Sequence, residues 1–168
     1  MTVAFIGHRN VVQTEALEKR VTEVVTTLIE KENADTFLFG SRSVFNSICY
    51  DTVSKLKITY PHIKRIYVRA EFDYCDKLME YLLEYYEESF FPDGVRGAGT
   101  LSYIKRNQVM VDMCDVLVVY CDMNYRLPTK TIGNLTLGVT KSTKSKSGAV
   151  MATFYAQQKK KRIINLIT

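Results

Sequence analysis

No run of apolar residues in this chain comes near the roughly 20 needed to cross a bilayer. The first ten residues, MTVAFIGHRN, have neither a basic leader nor a small-residue cleavage site, and read as an opening strand of a soluble, cytoplasmic protein with no membrane partner. The four cysteines form no CxxC pair, and Cys49, Cys114 and Cys121 fall inside periodic segments, which predicts reduced, structural thiols. With two histidines in total and no clustered ligand spacing, a His-rich metal site is excluded, and none is expected. HExxH, GxSxG, the GxxxxGK[ST] phosphate loop and GxGxxG are all missing, so the usual metalloprotease, serine hydrolase, P-loop and dinucleotide oxidoreductase readings fall away and no resident cofactor is expected. Hairpin turn signals are missing too, and no stretch of sequence is itself repeated.

Acidic residues are absent from one third of the chain. Met123 to Thr168 holds nine Lys or Arg and no Asp or Glu, so that segment carries +9, while residues 1–122 hold 14 bases against 18 acids, or −4. A basic third suits nucleic acid, phosphorylated small molecules or solubility alone. Lys159, Lys160, Lys161 and Arg162 fit a solvated helix-to-strand junction, whereas Lys141, Lys144 and Lys146 occupy a segment without periodicity.

What the 168 residues do contain is one supersecondary unit repeated. The unit is clearest from Tyr103 to Asp122, where an amphipathic stretch bearing Arg106 and Asn107 in its first turn hands over to the continuous apolar run Val116–Tyr120. Such a run marks a strand covered on both faces. Val3–Ile6, Thr36–Phe39, Arg65–Val68 and Ile163–Ile167 read as further strands. Helices are predicted over Thr14–Lys31, Val44–Thr59 (stopped by Pro61), Asp76–Tyr86 and Ser147–Lys159. Ser89–Gly94 reads as a short extended piece and a turn. Five strand–helix alternations predict one α/β domain, a Rossmann-like, doubly wound and mainly parallel sheet with right-handed crossovers.

In such a sheet ligands bind beyond the carboxyl ends of the strands. Position alone therefore nominates Gly7, His8 and Arg9, then Gly40 to Ser43, then Arg69 to Glu71, then Tyr120 to Asp122, and the helix start at Ser147 and Gly148. Glycines there let a ligand approach the backbone, and the helix starts at Ser43 and Ser147 suit an anion. Arg106 has the fork for a phosphate and Asn107 can bond a backbone loop. Asp112 and Asp115 suit caps or turns. Glu71 and Asp122 are the two carboxylates placed to act as acids, if they meet. Residues 123–146, a long aperiodic basic segment, suit a lid.

Four stretches in order, VAFIGHR, FLFGS, RNQVMVDMCDVLVVY and SGAVMATFYAQQKKKRIINL, resemble the SLOG superfamily over nearly the whole chain. The resemblance is closest to its stand-alone YpsA-like branch, related to the Lonely-Guy and DprA Rossmann-like domains. It implies a ligand derived from a nucleotide, such as NAD, ADP-ribose or a cyclic signalling nucleotide, held for sensing or sequestration, and a homo-oligomer. It also implies a ligand-binding set of Gly7, His8, Arg9, Gly40, Ser41, Arg69, Arg106, Asn107, Ser147 and Gly148. Lonely-Guy enzymes, which cleave the N-glycosidic bond of nucleoside monophosphates, carry PGGxGTxxE. Here the matching stretch is KSGAVMATFYA, with Thr153 or Phe154 near the glutamate position. The phosphate-holding half is kept and the hydrolytic half is not, so an N-glycosidase is the alternative, and nucleic-acid binding by the basic third is another.

Overall fold

The structure is a computed structural model that describes residues 1–41, 43–70, 76–125 and 147–167, with the backbone alone at 76–79 and 100. Six strands form one sheet: β1 (Thr2–Gly7), β2 (Thr36–Phe39), β3 (Lys64–Val68), β4 (Glu88–Phe90), β5 (Val116–Tyr120) and β6 (Arg162–Asn165). Their spatial order is β4-β3-β2-β1-β5-β6, and every pair is parallel. The helices are α1 (Glu15–Glu32), α2 (Val44–Thr59), α3 (Asp76–Tyr85), α4 (Ser102–Met113) and α5 (Gly148–Gln158). The chain steps outward from β1 to β4, crosses back to β5 beside β1, and continues to β6. The order reverses between β1 and β5, which is where a doubly wound sheet opens a crevice.

Alternation along the strands sorts the side chains into two cores. Val3, Phe5, Phe37, Phe39, Tyr67, Val116 and Val118 pack with residues of α1 and α2 and with Leu82 of α3. Ala4, Ile6, Leu38, Ile66, Val68, Leu117 and Val119 pack with α4 and α5. The first core is aromatic, with Phe5 stacked on Phe37 and Phe39 at ring distances of 6.0 and 5.2 Å. The second is built from small residues, including Ala149, Ala152, Ala156, Cys114 and Cys121, which let α4 and α5 lie close to the sheet.

Local chemistry fixes the helix starts. Thr14 caps α1 by accepting from the Leu17 N–H, and Glu15 and Glu18 in its first turn complement the dipole. Ser43 caps α2 and Ser147 caps α5, but neither of those helices has an acid in its first turn. Asn33 ends α1 in the left-handed conformation, at φ 56°.

Two elements differ from the sequence reading. Glu88–Phe90 is a sixth strand, held to β3 in the register Tyr67↔Ser89, where periodicity had given an extended piece from Ser89. A strand of three residues is too short to show a period. Helix α4 begins at Ser102 after a 3-10 turn over Gly99–Leu101, so Arg106 and Asn107 lie in its second turn and not its first. Among the described residues no helix is long and apolar enough to cross a membrane.

Candidate functional site

A cleft of about 680 Å³ lies over the carboxyl ends of β1 and β2, between the starts of α2 and α5 and the second turn of α4. Its position follows from the strand order. Right-handed crossovers put α2 on one face of the sheet and α5 on the other, and both helices begin at the same edge.

His8 ties the parts of this edge together. It is only 5% exposed, and its backbone N–H donates to the Tyr120 carbonyl at 3.1 Å, carrying the β1–β5 ladder one residue beyond the strands. The ring Nε2 accepts from the Asp122 N–H at 2.8 Å. A nitrogen that accepts bears no proton, so in the neutral ring the proton is on Nδ1, which lies 3.1 Å from the Ser147 Oγ and donates to it. Burial lowers the His8 pKa from its ordinary 6.5 and keeps the ring neutral, with the Asp122 carboxylate opposing it. His8 therefore cannot serve as a base toward Ser147, and a Ser–His nucleophile is excluded at this edge. Tyr125 covers the imidazole at a ring distance of 4.3 Å.

The same bonds leave Ser147 with a donor to spare. Its Oγ accepts from His8 and, as the cap of α5, from the Val150 N–H at 3.2 Å. With both lone pairs used, the hydroxyl proton remains to be given away. Ser43 repeats the arrangement at α2, accepting from Asn46 N–H at 3.3 Å and from the Ser41 hydroxyl at 3.0 Å. Two buried cap serines thus each hold a hydroxyl proton that their own helices do not use.

Arg106 supplies the charge. The residue is 3% exposed, yet it lines the cleft. Its Nε donates to Asn107 Oδ1 at 2.9 Å, and its guanidinium lies 5.7 Å from the centre of the Tyr103 ring. That bond takes the oxygen of Asn107 and leaves its amide nitrogen toward the start of α5, 3.6 Å from where a Cβ on Gly148 would sit. Among the described residues that line the cleft, Arg9 and Arg106 are charged and none is acidic. Two helix N-termini, two arginines and two serine hydroxyls give this cleft groups that favour an anion.

Of the residues nominated from sequence, Gly7, His8, Arg9, Gly40, Ser41, Arg106, Asn107, Ser147 and Gly148 line this cleft together. Gly7 and Gly40 have a packing reason to be glycine. A Cβ at Gly7 would fall 2.4 to 2.9 Å from the Phe45 side chain, and one at Gly40 would fall 2.6 Å from Met110 Sδ and 2.7 Å from Arg106 Cδ. They are glycines so that Phe45 and Arg106 can cross the strand ends. The Gly40 and Ser41 amides are also engaged, each at 3.4 Å from Asn46 Oδ1. Arg69 is buried past β3, bonded through its N–H to Phe90, and does not line the cleft.

Asp122 is exposed, accepts from the Asn124 N–H at 2.8 Å, and reaches the edge through its backbone. Glu71, Arg42 and the part of the expected lid from 126 to 146 lie outside the described residues. Thr153, near the position of the Lonely-Guy glutamate, is buried and donates to the Ala149 carbonyl at 2.9 Å within its own helix, while Phe154 is exposed.

The aspartates and lysines at the opposite edge are structural. Asp112 accepts from the Tyr155 hydroxyl and pairs with Lys159 at 3.5 Å, and Asp115 Oδ2 accepts from the Thr2 N–H at 2.8 Å. Lys161 gives its ammonium protons to the carbonyls of Asp112 and Cys114 at 3.0 and 2.8 Å, closing the end of α4, and Arg162 forks onto Glu32. Three of the four residues in the run 159–162 are therefore spent on the fold. Cys49, Cys114 and Cys121 are buried free thiols, and burial raises Cys49 and Cys121 and brings Cys114 to about 11, which disfavours the thiolate at each. No group of His, Cys, Asp and Glu among the described residues is arranged to hold a metal.

Sequence reasoning missed Asn46, Tyr103 and Tyr125. Asn46, three residues past a capping serine on the buried side of α2, was visible as a polar break in an apolar stripe. The tyrosines carried no signal: Tyr103 is a single exposed aromatic in the first turn of α4, and Tyr125 lies in the aperiodic segment after β5. No protein-family model and no curated protein matches the chain.

Proposed function

We propose that the protein is a SLOG-like binding module for a nucleotide-derived small molecule, held by its phosphate at the β1–β5 edge for sensing or sequestration. The observation that carries the reading is Arg106, an arginine 3% exposed that lines a cleft bounded by two helix N-termini and by no described acid. A buried guanidinium facing a space of that size fits an anion delivered by a ligand. Phosphate oxygens accept from Arg106, from the Ser43 and Ser147 hydroxyls, and from Arg9 at the rim. Tyr103 and Tyr125 offer ring faces beside them for a base or ribose.

Binding without turnover is the favoured mode because, among the described residues, none is placed at the edge as a general acid. His8 has its protons fixed by Asp122 and Ser147, Asp122 turns its carboxylate to its own loop, and α5 carries Thr153 bonded to its own backbone.

The test is thermal shift against AMP, ADP, NAD, ADP-ribose and cyclic ADP-ribose, wild type beside Arg106→Met, with each mixture then separated for breakdown products. At 100 times the Kd a ligand adds about 2.7 kcal/mol, or roughly 5 to 10 °C here. A shift with a phosphate-bearing ligand, abolished in a folded Arg106→Met and without products, is expected. Products from the wild type would replace binding with N-glycoside cleavage, and no shift with any of the five would end the nucleotide reading.

A further inference from the structure

A second cavity of about 340 Å³ adjoins the first, since Ser41 and Asn46 line both. It lies between α2 and α3, and its walls differ in kind. Tyr50, Tyr67, Tyr81, Tyr85 and Tyr86 face it, and Asp51 is its one charged residue among those described. The first cleft is cationic and the second aromatic with a carboxylate, so an anionic group is drawn to one and turned away from the other. Tyr81 and Tyr85, a helical turn apart on α3, remain 48% and 43% exposed with their rings 4.9 Å apart, and Tyr86 packs at 5.0 Å from Tyr50.

Two classes of guest suit tyrosine walls, a flat ring system and an organic cation. Arg65, its charge paired with Glu87 at 2.7 Å, already lies over the Tyr50 ring at 5.3 Å and takes the cation–π place there. A planar heterocycle with N–H groups to give to Asp51 fits. Both volumes fall within the range of about 300–1,000 Å³ over which pockets take small ligands, and the larger one by itself has room for a phosphate, a sugar and a ring.

We infer that the ligand carries two ring systems joined through phosphate, a dinucleotide, with the phosphates over Arg106 and the second ring among the tyrosines beside Asp51. This rests on the nucleotide reading of the first cleft, and names the ligand class for it. Stacking and the Asp51 acceptor act on the second ring only, so they show as a preference for two-ring over one-ring ligands.

The experiment is calorimetric titration of the full chain with AMP and ADP-ribose, which have one aromatic ring system, and with NAD and a diadenosine polyphosphate, which have two. It is run on wild type, Tyr81→Ala, and Tyr81→Ala/Tyr85→Ala, with melting curves to establish that each is folded. The expected result is that a two-ring ligand binds about tenfold or more tighter than ADP-ribose, and that this ratio falls toward one in the tyrosine variants. Should the double variant not fold, Tyr81→Ala and Asp51→Asn carry the comparison. Equal affinities for one-ring and two-ring ligands would overturn the inference while leaving the first cleft a nucleotide site. A two-ring advantage that survives the tyrosine changes would overturn it as well. Failure of all four ligands to bind would remove the nucleotide reading, and the dinucleotide with it.

Discussion

Arg106 crosses the end of β2 only because residue 40 has no side chain: a Cβ there would lie 2.7 Å from Arg106 Cδ and 2.8 Å from its Nε. Sixty-odd residues apart in sequence, the two form one feature of the cleft. Gly40→Ala must push Arg106 or Met110 aside, and overpacking of this kind costs about 1–3 kcal/mol. The expected outcome is a lower urea midpoint together with lost phosphate-ligand binding. Binding retained at wild-type affinity in Gly40→Ala would show that the position of Arg106 does not matter to the ligand.

Gly7 makes the matching allowance for Phe45, a fully buried ring. Phe45→Ala is expected to destabilise by about 3–5 kcal/mol, and Gly7→Ala by about 1–3 kcal/mol. In the Phe45→Ala background the added methyl has room, so the cost of Gly7→Ala should largely vanish, and a double-mutant cycle measures that coupling. Additive costs would mean that Gly7 is needed for something other than Phe45.

Acid should loosen the edge through His8. Its folded pKa lies below the ordinary 6.5 because burial disfavours the charged ring. In the window between the two values the unfolded chain binds more protons than the folded one, so stability rises with pH across it. The contribution is complete above 6.5 and declines as pH falls through 6.5 toward the folded value. Melting temperatures at pH 7.5 and 5.5 should therefore drop more for wild type than for His8→Gln. An identical drop in both would assign the acid sensitivity to other groups.

Lys161 predicts a split between stability and nucleic-acid binding. Its two bonds to main-chain carbonyls at the end of α4 are half exposed, and after screening are worth roughly 1–2 kcal/mol. Lys161→Met should lower the unfolding free energy by that amount and leave any affinity for DNA or RNA unaltered. Phosphate contacts would instead appear as a weaker salt dependence in the variant with its stability intact.

The alternation of apolar strands with amphipathic helices was enough to read an α/β domain with a mainly parallel sheet, because burial on two faces writes a continuous apolar run and burial on one face writes a 3.6-residue stripe. The strand ends and the helix starts beside them, and so eight of the lining residues, followed from that alone, while Arg106 and Asn107 were nominated by their side-chain chemistry. Caps were legible for the same reason, since Ser43 and Ser147 act on N–H groups three residues away. β4 was not, as three residues leave no period and its place depends on β3.

What the chain order could not express was distance across the fold. That Gly7 yields to Phe45 and Gly40 to Arg106, that Arg69 is not among the residues lining the cleft, and that His8 reaches both Asp122 and Ser147 are matters of which strand lies beside which. The tyrosine cavity is of the same kind. Tyr50, Tyr67 and Tyr81 belong to three different elements, and only the packing of α2 and α3 over β3 brings their rings to one space. Sequence fixes periodicity and local hydrogen bonds because those act over a few residues; tertiary structure decides the site because charge, stacking and steric exclusion act through space.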